Sequence, residues 1–185
     1  LPAAQTRDKD AVSPDDMIAL CNDLRREFDF VIVDSPAGIE GGFRNAIAGA
    51  DEVLIVTTPE VSAVRDADRI VGLVEAFEKG HPRLILNRIK PHMVNRGDMM
   101  TTEDVVEILA IDLIGVVPDD ESIVTTTNRG EVAVMERTSK AGRAFASIAR
   151  RLMGEDVPLQ VLSADENFLT KLWVAMGLRP RRAPR

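Results

Sequence analysis

A three-layer α/β fold, with a parallel sheet between helices, is what the sequence predicts, and three observations predict it. Four apolar runs rich in β-branched residues recur along the 185 residues, at 30–33 (FVIV), 53–56 (VLIV), 84–86 (LIL) and 113–117 (LIGVV). Each is nearly continuous in hydrophobicity, as strands covered on both faces are. Segments of helical periodicity lie between or beside them, and such alternation builds βαβ units with right-handed crossovers.

Each element has its own signal. Residues 14–27 (PDDMIALCNDLRRE) carry acids in the first turn and arginines in the last, matching the helix dipole. Residues 62–79 place Val64, Ala67, Ile70, Val71 and Val74 on one face, as an amphipathic helix does. Residues 101–110 open with Thr101 three positions before Asp104, a capping-box variant. Residues 140–153 (KAGRAFASIARRLM) read as the last helix of a body that spans 1–153. A linker over 154–164 then leads to a tail at 165–185.

Composition bounds the function. A chain of this length buries roughly two thirds of the surface it exposes when unfolded, enough for a core. The hydrophobic fraction of 45% and charged fraction of 29% are those of an ordinary soluble globular protein. The single cysteine, Cys21, builds neither a disulfide within the chain nor a metal or redox motif, which fits a reducing, cytoplasmic setting. No apolar segment reaches the roughly 18 residues of a spanning helix, and LPAAQTRDKD is not a signal peptide. From Asn167 onward there are five basic residues and no acidic one, so the preceding segment holds 18 basic and 30 acidic residues, net −12. An acidic body speaks against a general nucleic-acid binder.

The stretch FDFVIVDSPAGIE, at 28–40, carries the chemistry. Its apolar run ends on Asp34, and ligands of open parallel sheets sit beyond the carboxyl ends of the strands. Strand geometry alone leaves two readings, a ligand-facing carboxylate or a cap for the turn shaped by Ser35 and Pro36. Gly38 favours the first, because a glycine lets a backbone N–H approach an anion.

This stretch resembles the Walker B and switch II segment of the ParA/MinD family of deviant-Walker-A ATPases, which have a P-loop NTPase-like fold. LPAAQTRDKD, TTPEVSAVRDADRI at 57–70, NRGDMMTTEDVVEIL at 95–109 and GVVPDDESIV at 115–124 resemble the same family in the same order. The resemblance implies ATP and Mg²⁺ as cofactors, with Asp34 holding Mg²⁺ through water and Gly38 contacting the γ-phosphate. It also implies that Asn87 and Arg88, with Pro118 and Asp119, hold adenine. An Asn amide offers donor and acceptor to a base edge, although without the family Asn87 reads first as a strand-end turn former. The family's glycine-rich, lysine-bearing phosphate loop has no counterpart, since no GK[ST] occurs in the chain. The resemblance therefore implies a C-terminal fragment lacking the P-loop and the N-terminal strands. Phosphoryl transfer depends on positioning and electrostatic stabilisation of the phosphates, so the fragment alone is expected to be inactive although the full-length protein is an ATPase.

The tail sets Phe168, Leu169, Leu172, Trp173 and Met176 on one helical face, with Lys171 off the stripe and Arg179 among the residues that follow. Such a face serves either a helix docked on the body or an interfacial helix. The cationic run and the Trp beside Leu and Phe favour the second, and the family has a similar membrane-targeting helix. Burying each large apolar residue gains about 1.5–3 kcal/mol and each basic residue near anionic lipid about 1 kcal/mol, but ordering costs roughly 1–2 kcal/mol per residue. One tail is then expected to bind weakly, and two joined by ATP-dependent homodimerisation to bind by avidity.

Other constellations carry no chemistry. His81 and His92 each adjoin a proline, lack metal-ligand partners and read as loop residues. Ser35 has no nucleophile elbow, and Arg65, Asp66, Asp68 and Arg69 read as a solvated face. The resemblance implies a membrane-cycling ATPase, peripheral on the inner face of the cell membrane, that places the division site. Its partners would be a MinC-like inhibitor of division-ring assembly, a MinE-like topological regulator and an anionic membrane surface, with no specific nucleic acid. A non-hydrolysing membrane scaffold and a partition-type ATPase are the alternatives.

Overall fold

The computed structural model describes residues 12–35, 41–136 and 138–159. Its elements run α1 (Pro14–Leu24), α2 (Gly41–Ala48), β1 (Leu54–Thr57), α3 (Val61–Ala76), β2 (Arg83–Ile89), α4 (Pro91–Asn95), α5 (Thr102–Leu109), β3 (Asp112–Pro118), α6 (Ser122–Asn128), a 3₁₀ turn (Ala133–Met135) and α7 (Lys140–Leu152). The strands form one parallel sheet in the order β1-β2-β3, flanked by helices. The expected α/β architecture is thus present, and three of the four expected strands are its strands.

The fourth, at 30–33, is not a strand. Residues 31–35 follow an irregular path, and Ile32 is 93% exposed. An apolar run becomes a strand only through a ladder with a neighbour, and among the described residues the sheet has no member beside it. Shorter helices went unread in the sequence. In α2 and α6, of 8 and 7 residues, there is little room for a periodic signal. α4, of 5 residues, has its proline at a first-turn position, a start signal that was legible.

The described part of the chain divides into two compact units, one within 12–85 and 102–113, the other within 86–101 and 114–159. In the first, Ser13 caps α1 in a capping box: its hydroxyl accepts the Asp16 N–H at 3.2 Å while the Asp16 carboxylate accepts the Ser13 N–H at 3.0 Å. α1 ends at Leu24 with Arg25 as its C-cap, so the arginines expected in its last turn lie beyond it. Its buried Cys21 lies so close to Gly49 that a Cβ there would stand 2.6 Å from Sγ. Phe43 and Ile47 of α2 pack with Val74 of α3, and Val53, Ile70 and Leu73 border them. α3 buries Val64, Ala67, Val71 and Val74, four of the five residues read from its periodicity. Its outer face carries the exposed Asp66–Arg69 pair at 3.6 Å, the solvated surface expected.

In the second unit, α7 supplies Ala141, Ala144 and Ile148 to the core, and Val116 and Val117, on opposite faces of β3, are buried too. Gly115 is small because α7 is close: a Cβ there would stand 2.2 Å from Ile148 Cγ1. At the end of α7 the Arg151 guanidinium donates to the carbonyls of Ile114 (2.8 Å), Val157 (2.7 Å) and Pro158 (2.6 Å). Arg150 pairs with Glu155 at 2.7 Å.

Candidate nucleotide site

The second unit brings four of the sequence-derived residues together at the carboxyl ends of β2 and β3. The Asp119 N–H donates to the Ile89 carbonyl at 2.9 Å, so the two strands remain in register to their last residues. Arg88 Nε lies 3.4 Å from Asp119 Oδ1, and Lys90 Nζ 3.4 Å from Oδ2. Asn87 Oδ1 accepts the Arg88 N–H at 2.9 Å, which leaves the amide NH₂ as a donor. Pro118 is buried beneath this group and Asp119 is exposed.

Arg88 has φ of 57°, a left-handed conformation that costs a non-glycine residue about 1–2 kcal/mol. Its side chain is 66% exposed, so neither burial nor a strong ion pair repays that cost. Backbone held in such a region beside a strand end is a feature of ligand sites. Lys90 belongs to the same cluster and was missed, because a lysine two residues past Arg88 has no sequence signature.

Asp120 was also missed, and it differs from its neighbour in every respect. Its Oδ1 accepts the Ser122 N–H at 3.0 Å, and its Oδ2 accepts both the Ser139 hydroxyl and the Ala141 N–H at 3.0 Å. Ser139, 1% exposed, in turn accepts the Gly142 N–H at 2.9 Å and caps α7. Partial burial works to raise the pKa of Asp120, but the donors from Ala141, Ser122 and Ser139 outweigh it and hold the carboxyl well below the usual carboxylate range.

Asp34 lies in the first unit, exposed, at the end of the irregular segment that replaces the expected strand. Gly38 and the tail residues Phe168, Leu169, Lys171, Leu172, Trp173, Met176 and Arg179 lie outside the described residues. His92 sits in α4 rather than in a loop, and no group of three or more His, Cys, Asp or Glu that could hold a metal occurs among the described residues.

Comparison with known proteins defines the class first. A family model described as 4Fe-4S iron sulfur cluster binding proteins, NifH/frxC family, matches residues 16–178. Septum site-determining proteins MinD match more fully: that of Bacillus subtilis is 48% identical over 97% of this chain and 68% of its own length, and that of Synechocystis 51% identical over 93% and 65%. The solved MinC:MinD cell division protein complex of Aquifex aeolicus superposes with a TM-score of 0.78 at 43% identity, over 82% of this chain and 63% of that one. More distant structures from Pyrococcus furiosus, described as a cell division ATPase, and Pyrococcus horikoshii, described as complexed with Mg-ADP, share the fold with TM-scores of 0.66 at 25% and 24% identity. The chain belongs to the NifH/frxC family and, within it, to the septum site-determining MinD proteins. It spans about two thirds of the length of the curated relatives it matches, 65% and 68% for the two above. The iron-sulfur cluster in the family's description does not fit these residues: such a cluster takes four cysteine thiolates, and the one cysteine here is buried against Gly49.

Proposed function

We propose that this chain is the base-binding and membrane-targeting part of an ATP-dependent division-site placement protein. The kinship with MinD proteins over more than nine tenths of the chain carries the reading. Support from the geometry is the convergence of Asn87, Arg88, Pro118 and Asp119 at two adjacent strand ends. In this reading Asn87 and the Pro118–Asp119 turn hold adenine, Arg88 lines the same edge, Asp34 holds Mg²⁺ through water and Gly38 meets the γ-phosphate. The bound nucleotide supplies the phosphoanhydride whose hydrolysis resets the switch. The residues of this chain orient its base and its metal.

ATP-bound copies pair, and two tails together hold the protein on the anionic inner face of the cell membrane. A MinC-like inhibitor is the partner that the Aquifex aeolicus complex suggests, and a MinE-like regulator completes the cycle. The whole protein should turn over ATP, while the 185 residues alone should hydrolyse it negligibly, because phosphoryl transfer needs the phosphate grip. Comparable turnover by the two would refute the division of labour, and no turnover by the whole protein would leave a non-hydrolysing scaffold. Trp173, the only tryptophan, reports the tail: its emission should shift to the blue with anionic vesicles, and an unchanged spectrum defeats the membrane assignment.

A further inference from the structure

The geometry points to Asp120 as a positioning residue that sets adenine selectivity by fixing the turn after β3, an inference that rests on the nucleotide reading above. Two consecutive acids here divide their labour. The Asp119 carboxylate is directed at Arg88 and Lys90, on the side where a base edge would lie. The Asp120 carboxylate accepts three protein donors, two backbone N–H groups and one hydroxyl, at 3.0 Å each, which occupy three of its roughly four acceptor sites and commit it to the helices.

Those donors begin two helices. Ser122 opens α6, Ser139 caps α7 and Ala141 is in its first turn, so one side chain ties the turn to both. The turn is held at three successive points: Pro118 is buried, the Asp119 N–H is bonded to Ile89 and Asp120 is bonded to the helices. Peptide groups recognise a base only when they are set to within a few tenths of an ångström, and here the last of the three fixings is a side chain that never touches the base. An asparagine cannot replace it. The amide has one acceptor oxygen for donors that approach both oxygens of the acid, so its NH₂ must face at least one of them.

Calorimetric titration of the whole protein with Mg-ADP and Mg-GDP tests this. Asp120→Asn should raise the Kd for Mg-ADP at least fivefold and lower the preference for adenine over guanine, because a loosened turn holds neither base in register. Ser139→Ala, which removes one of the three donors, should move both quantities in the same direction by less. Val105→Ala, in the buried face of α5, serves as a destabilised control and should leave the preference unchanged. Unchanged Kd and unchanged preference in Asp120→Asn overturn the inference, and if that variant does not fold, the same result in Ser139→Ala overturns it. Failure of the unaltered protein to bind Mg-ADP overturns the nucleotide reading itself and this inference with it.

Discussion

Two apolar runs of this chain end on an acid, FVIV before Asp34 and LIGVV before Pro118 and Asp119, and they have opposite fates. The second is β3, with Val117 fully buried and its last residues bonded to β2. The first is irregular, with Phe30 and Ile32 turned to solvent. Composition does not distinguish them; a hydrogen-bonded neighbour and a covering helix do. Strand identity is therefore a property of the sheet rather than of the run, while the acid that follows a run acquires its role from what the end of the strand touches.

Shortening one side chain in each run should break the symmetry of their sequences most visibly. Val117→Ala, at a fully buried site, should cost about 2–3 kcal/mol in denaturant unfolding of the 185-residue chain. Next in size is Asp120→Asn, which should cost about 2 kcal/mol at neutral pH through loss of a charge-assisted hydrogen bond. Because the folded-state pKa of Asp120 is depressed, its stabilisation stands above the ordinary value of about 4 and fades as pH falls from there toward the folded-state value. The gap between the two proteins should accordingly begin to narrow below about pH 4 and keep narrowing as the pH falls further. Arg88→Ala should shift stability by no more than about 1 kcal/mol, since its ion pair is exposed, yet weaken nucleotide binding by the whole protein. A large loss of stability with unchanged binding would make Arg88 structural. The smallest effect belongs to the other run: Ile32→Ser should stay within about 0.5 kcal/mol in this chain, and a cost comparable to that of Val117→Ala would show that the run is covered.

What was legible in the sequence follows the same division. β1, β2 and β3 were announced by apolar runs, α3 by its period, α1 by the charges at its ends, α5 by the cap that opens it and α7 as the last helix of the body, and α3 buries nearly the face that was read from it. α2, α4 and α6 are too short to show a period. The overread strand at 30–33 shows why the rest was hidden, since no local pattern records whether a ladder partner exists. At the site, Asn87, Arg88, Pro118 and Asp119 came from family resemblance, and they do converge in space. Asp120 was hidden because adjacent identical acids look interchangeable until the helices that claim one of them are in place.

Arg151 has a consequence for the residues just beyond α7. By taking the carbonyls of Val157 and Pro158 together with that of Ile114, it rivets the stretch that follows α7 to the early part of β3. One guanidinium thereby decides where the chain runs once the helix has stopped, a job that a helix end by itself leaves undone.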